Sequence, residues 1–141
     1  MSNLANFKDR FIDEKDTARD KHLKLVWRKK AEHEGGEGEE LLRLDWASGL
    51  AHAWRQSQQD ENGLNWRLPT IEELSSLVEI DGKGRLQYPD WLPAGEKELI
   101  YWSGSPDAED SGRAWLVVFV FGYVFRYRRD NQYCVRLVRG V

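Results

Sequence analysis

The chain has 141 residues, 40% of them hydrophobic and 12% aromatic, with seven Trp, four Pro, one Met and one Cys. That length and composition suit one folded domain over 1–141 with its own core, and they exclude collagen-like, Pro-rich and disulfide-framework classes. The formal charge of −3 is segregated: residues 1–31 carry +4, residues 32–110 carry −12 and residues 111–141 carry +5. Such a pattern either neutralises itself on folding or leaves a basic face for an anionic partner. The longest apolar run, Ala114 to Val124 around Gly122, falls well short of the roughly 20 residues that cross a bilayer. The opening Met-Ser-Asn-Leu-Ala-Asn lacks a signal peptide's basic and apolar regions. We therefore expect a cytoplasmic protein with no membrane partner. Cys134 is the single cysteine, so no internal disulfide and no Cys-based zinc cage can form.

In chain order, residues 1–9 are expected to lie outside the ordered body, and Arg10 to Asp13 and Leu23 to Trp27 alternate as two short strands separated by the polar stretch Lys15 to His22. Residues 32–40 hold three Gly and five Glu with nothing to bury, which predicts a mobile acidic loop. From Asp45, a plausible N-cap, to about Gln58 the pattern is helical. Trp46, Leu50 and Trp54 recur at i, i+4, i+8 and are expected to face the core. Thr70 and Glu73 have capping-box spacing, with Pro69 just ahead, which predicts a second helix over Ile71 to Val78 that packs through Ile71, Leu74, Leu77 and Val78. Residues 81–99, rich in Gly, Pro and charge, read as a loop anchored by Tyr88-Pro89-Asp90-Trp91. Leu99 to Ser103 follows as a strand and Pro106 to Gly112 as a polar turn. Ala114 to Phe121, Tyr123 to Arg128 and Tyr133 to Val138 then predict a three-stranded antiparallel meander.

Catalytic patterns are absent. His22, His33 and His52 fall in three different predicted environments without metal-ligand spacing, and there is no phosphate loop or nucleophile elbow. We expect no enzyme activity, no cofactor and no metal. Binding chemistry is better supplied, because the terminal runs interleave aromatic and basic side chains. Strand alternation puts Tyr123, Phe125 and Tyr127 on one face and Val124, Arg126 and Arg128 on the other, with one of the two faces in the core. Rings stack on sugars or bases, and guanidinium forks hold carboxylate, sulfate or phosphate. Equally, the tyrosines could be half-buried sheet residues and the arginines partners of the acidic middle. The sequence pI of about 5.7 lacks the footprint of a dedicated nucleic-acid binder.

Five segments occur in an order that resembles one known family: Leu25-Val26-Trp27; Trp46-Ala47; Trp66-Arg67-Leu68-Pro69-Thr70 with Glu73-Leu74 and Leu77-Val78; Tyr101-Trp102-Ser103; and Val135-Arg136-Leu137-Val138-Arg139. Over roughly residues 10–140 the chain resembles the C-terminal domain of collagen-like adhesins, the Lcl C-terminal domain family. The resemblance implies an α+β, C-type-lectin-like fold: two helices packed on a small antiparallel sheet, with the N- and C-terminal strands adjacent. Family members occur in surface adhesins that bind glycosaminoglycan-type ligands, and similar folds serve retroelement-diversified binding proteins and sulfatase-activating enzymes. By resemblance, Trp66 and Leu68 belong to the core, Arg67 pairs with Glu72 or Glu73, and Arg136 and Arg139 fix the terminal strand. The chain departs from the family pattern where Leu23-Lys24 replaces a Thr-Gly turn and Leu137 replaces a cysteine; paired catalytic cysteines and the Glu-Pro-Asn or Gln-Pro-Asp calcium motif are absent. The expected function is a non-catalytic binding module for a glycan, a polyanion or a protein surface, with Trp102, Trp115, Tyr123, Arg126, Tyr127 and Arg128 as candidate contact residues. The alternative is a protein-interaction subunit, including a homo-oligomer.

Overall fold

A computed structural model describes residues 7, 9–33, 40–60, 62–63 and 65–141. Its first sheet opens with β1 (Phe11–Asp13), β2 (Thr17–Asp20) and β3 (Leu25–Arg28), and is closed by the last strand of the chain, β9 (Val138–Gly140). The order is β1-β2-β3-β9, with Trp27 opposite Val138 and Leu25 opposite Gly140. The two ends therefore meet, as expected. Strand β2 lies inside the polar stretch that periodicity leaves as a connection. Its inward residues are Ala18 and Asp20, and a buried aspartate is invisible to a hydrophobicity pattern.

Asp20 is buried because its partners are supplied from three directions. Arg10 donates to both carboxylate oxygens, Nη2 at 2.7 Å; the Trp27 indole N–H donates at 3.1 Å; and the His22 and Leu23 amides donate at 3.1 Å each. Burial pushes this carboxyl up, and the Arg10, Leu23 and Trp27 hydrogen bonds outweigh it, so it titrates below the ordinary aspartate value. Arg10 also reaches Ser76 O at 2.9 Å, tying β1 to the chain beyond the second helix. Phe7 is buried and stacks on Phe11, so this one described residue of the first eight packs on the body; residues 1–6 and 8 lie outside the described residues.

Helix α1 (Trp46–Gln59) starts where Asp45 Oδ1 accepts the Ser48 amide at 2.8 Å. Its inward face differs from the expected one. Gly49 and Ala53 are buried, whereas Leu50 is exposed and Trp54 is 65% exposed. The small residues let the helix approach closely: a Cβ at Gly49 would meet Val135 Cγ1 at 3.2 Å and Leu68 Cδ1 at 3.7 Å. Trp46 remains partly buried, and its indole N–H donates to Ser103 O at 2.9 Å. Glu32, placed by the sequence in a mobile loop, is buried and accepts Arg28 Nη1 at 2.7 Å and hydrogen-bonds His52 Nε2 at 2.7 Å. Residues 34–39 of that loop lie outside the described residues.

Helix α2 (Ile71–Ser75) has the expected capping box, with Thr70 and Glu73 each accepting the other's backbone N–H. It ends one turn earlier than periodicity suggests, and Leu77 and Val78 still pack below it. Arg67 makes a two-pronged ion pair with Glu73, at 2.7 and 2.9 Å. Strands β4 (Glu79–Ile80) and β5 (Leu86–Gln87) then form a small hairpin, and a 3-10 helix (Ala94–Glu98) leads to the second main sheet. The expected loop over 81–99 is anchored as anticipated by its aromatics: the Tyr88 hydroxyl bonds Phe119 O, and Trp91 meets Phe11 edge-on at 5.4 Å.

That sheet holds β6 (Ile100–Pro106), β7 (Arg113–Val118) and β8 (Tyr123–Arg128) in the order β6-β7-β8. The meander exists, with a different third member from the expected one. The run Tyr133 to Val138 leaves β8: Leu44 and Tyr133 exchange backbone hydrogen bonds, Cys134 O accepts the Trp102 amide, and Val138 moves on to β3. Strand side chains alternate between two apolar clusters, so the sheet is covered on both sides near β6 and β7. Trp27, Leu74, Tyr101, Val117 and Phe119 pack in one cluster; Val26, Leu68, Trp102, Leu116 and Leu137 pack in the other.

Candidate functional site

Strand β8 differs from every other strand of four or more residues. All six of its residues are exposed, so neither face is core, contrary to the expectation from alternation. The reason is topological. β8 is the outer strand of its sheet, and the segment that would have covered it, residues 133–138, is drawn away to β6 and β3. The hairpin turn before it requires Gly122, whose φ is +69° and where a Cβ would fall 2.6 Å from Leu86 Cδ2.

On one face of β8 lie Tyr123, Phe125 and Tyr127, continued by Phe121 at the turn. Phe125 is 50% exposed and Phe121 64%. Phe121 and Tyr123 stack with centroids 5.7 Å apart and planes 5° from parallel; Phe125 and Tyr127 lie 6.2 Å apart; Tyr127 meets Tyr133 edge-on at 6.3 Å. With Leu116 and Val118 as a floor, these rings border a shallow slot of about 250 Å³ whose polar side-chain groups are tyrosine hydroxyls. Burial raises the Tyr133 hydroxyl above its ordinary value, with neighbouring Tyr127 adding to the effect.

The opposite face carries Arg126 and Arg128, and each has an acidic partner. Arg126 stands 3.8 Å from buried Asp107 and lies over the Trp115 ring at 5.6 Å; Arg128 bonds Asp130 at 2.7 Å; on β7, Arg113 reaches Asp110 at 3.4 Å. Elsewhere at the two basic ends, Arg10 pairs with Asp20, Lys29 with Asp13 and Arg136 with Glu96. The terminal strands do meet, and among the described residues of the two basic ends Arg10, Lys29, Arg113, Arg126, Arg128 and Arg136 each stand within ion-pair range of an acid.

Of the six candidate residues, Tyr123, Tyr127, Arg126 and Arg128 share β8, and Trp115 sits opposite Arg126 on β7. Trp102 is a correction. It is fully buried, its indole N–H donates to Leu44 O at 2.9 Å and its ring meets Tyr133 edge-on at 5.2 Å, so it supports the slot from below and cannot touch a ligand. Phe121 and Phe125 complete the patch; alternation puts Phe125 on the ring face with Tyr123 and Tyr127, although neither phenylalanine is among the candidate contact residues.

A second surface lies around Trp54, which periodicity assigns to the core and the structure exposes. Trp54 projects from α1 beside a groove of about 410 Å³ lined also by Gln58, Asn65, Trp66 and Arg67. A third hollow, of about 660 Å³ and bordered by Lys15, Arg28, Glu32 and Trp91, carries both signs of charge. Among the described residues no three His, Cys, Asp or Glu side chains converge as metal ligands, and no helix is long and apolar enough to cross a membrane.

Among the described residues the fold is thus a mixed α/β domain built on small antiparallel sheets with helices α1 and α2, and its edge strand β8 is exposed and aromatic. A model of the Lcl C-terminal domain matches residues 16–139, and the chain belongs to that family. No curated protein matches the chain at significant similarity.

Proposed function

We propose that this domain is a non-catalytic binding module of C-type-lectin-like architecture, and that it engages a protein surface through the aromatic face of β8 and the adjoining turn. The observation that carries this reading is the six-residue strand exposed on both faces and lined with rings. Apolar side chains on a monomer's surface are ordinarily scattered, and a contiguous ring patch marks a contact site. Among the described exposed large apolar side chains, six of twelve fall within residues 120–127. Aromatic rings supply contact area at low entropic cost. Asp107, Asp110 and Asp130 offset the field of the arginines on the opposite face, which supports a protein partner over a polyanion. The adjacent terminal strands and the two helices support the lectin-like architecture.

Photo-crosslinking tests the surface. With benzoylphenylalanine at position 125, irradiation in native lysate should give protein adducts, while the same probe at exposed Glu72 on α2 should not. Adduct yields at position 125 no higher than at position 72 would remove β8 from the contact surface.

A second reading rests on Trp54. A 65% exposed indole next to two amides and a guanidinium combines the stacking plane and hydrogen-bonding groups that a neutral saccharide requires. Screened against a glycan array, the wild type should retain at least one saccharide that Trp54→Ala loses by tenfold or more. Equal retention by both proteins would dismiss this groove.

A further inference from the structure

We infer that β8 pairs antiparallel with β8 of a second copy of this chain, joining two three-stranded sheets into one across a two-fold axis at Phe125. This deepens the reading of β8 as a contact surface and rests on it.

The backbone supplies the first observation. The Arg129 amide donates to Gly112 O at 2.9 Å, in register with the β7–β8 pairing in which Arg113 faces Arg128 and Leu116 faces Phe125. Hydrogen-bonded pairs alternate along an antiparallel ladder. Tyr123, Phe125 and Tyr127 therefore direct their N–H and C=O groups to β7, and Val124, Arg126 and Arg128 direct theirs outward. The outward Arg128 carbonyl accepts the Asn131 amide, which ends the edge. Among the described residues, β8 pairs with β7 alone, so the Val124 and Arg126 groups face outward from the sheet. Natural edge strands are usually blunted by shortness, by Pro, by charged side chains such as Lys, or by a bulge. The segment Tyr-Val-Phe-Arg-Tyr has no Pro and no Lys, its one charged side chain, Arg126, stands 3.8 Å from Asp107, and its pairing with β7 runs without a register shift.

The side chains select the occupant. The ring face reads Tyr123, Phe125, Tyr127, which is symmetric about Phe125. In an antiparallel self-pair centred there, Phe125 faces its own copy and each Tyr123 faces a Tyr127, so every ring on that face meets a ring. On the other face Val124 comes opposite Arg126, and no two arginines are directly opposed. This register also makes Val124 and Arg126 a hydrogen-bonded pair, matching the groups that point outward. Centring the axis on Arg126 would set two guanidinium groups against each other.

Sedimentation velocity on the full chain, from about 1 μM to about 1 mM, tests the pairing. The wild type should shift from the 16.5 kDa chain to twice that mass. The Val124 and Arg126 amides should gain hydrogen-exchange protection with concentration, while those of Tyr123 and Phe125 stay protected throughout. Val124→Pro removes an outward N–H without touching the β7 ladder, and Phe125→Lys sets two like charges across the axis. Each should weaken dimerisation at least tenfold, and an unchanged circular dichroism spectrum identifies variants that remain folded. A wild type that stays at chain mass, or a dimer that both folded variants retain, overturns the inference. Monomeric protein that still forms adducts with another protein at position 125 defeats self-pairing alone; monomeric protein without adducts defeats the β8 contact surface as well.

Discussion

Replacing Glu96 with Ala should destabilise the fold by about 3–5 kcal/mol, the range found when one partner of a buried ion pair is removed. Arg136 is fully buried, and its guanidinium bonds Glu96 Oε1, Arg28 O at 3.0 Å and Lys29 O. Glu96 Oε1 also accepts the Ala31 amide at 2.6 Å. One carboxylate thus neutralises a buried cation and binds the end of β3 to the 3-10 helix. Its removal leaves a desolvated positive charge held by carbonyl dipoles and by Tyr101 and Trp91, whose rings lie 5.3 and 5.7 Å from the guanidinium carbon. Urea unfolding followed by fluorescence measures the loss. A cost below about 1 kcal/mol would mean that Arg136 is adequately served by the carbonyls alone.

Asp20→Asn should cost a similar amount near neutral pH and should also change the shape of the acid branch. The folded-state value of Asp20 is lowered relative to the unfolded chain. Its stabilisation is therefore complete above the unfolded value of about 3.9 and is lost as pH falls through the lower folded value. The wild type should lose stability progressively below about pH 4, whereas the variant, lacking that proton-linked contribution, should show a shallower decline in the same window. Denaturant midpoints taken from about pH 7 down to about pH 2, which reach most of the window of about pH 5 to pH 1 over which a salt-bridged aspartate loses its contribution, resolve the two slopes. Parallel profiles would show that Asp20 does not govern acid stability.

These two buried pairs show where sequence reasoning is strong and where it stops. Arg136 was identified from its place in Val-Arg-Leu-Val-Arg as a residue that fixes the terminal strand, and its bonds to the Arg28 and Lys29 carbonyls do that. Its acidic partner, forty residues earlier inside a Gly- and Pro-rich segment, left no local signal. Asp20 was lost for the same reason: a single buried carboxylate interrupts the alternation by which a strand is recognised, and the donors that make it tolerable lie at Arg10, Leu23 and Trp27. In α1, the 3.6-residue recurrence of Trp46, Leu50 and Trp54 placed Trp46 against the core correctly and Leu50 and Trp54 on the wrong face. At Gly49 the helix lies within van der Waals reach of Leu68 and Val135, so the small residues Gly49 and Ala53 face inward and Leu50 and Trp54 turn outward.

The adjacency of the terminal strands was implied by the family resemblance, while the sequence alone determined the family motifs, the two helix starts at Asp45 and Thr70 and the aromatic character of Tyr123 to Tyr127. Each of these is written in contiguous residues, as a capping pattern, an alternation or a motif. Only the tertiary structure decided which surfaces are free. Whether an aromatic strand is core or contact depends on what lies beside it, and here residues 133–138 cross to β6 and β3 and leave β8 as an open edge. Whether the arginines form a basic pole depends in the same way on distant acids, and Asp107, Asp20 and Glu96 come within ion-pair range only once the chain has folded.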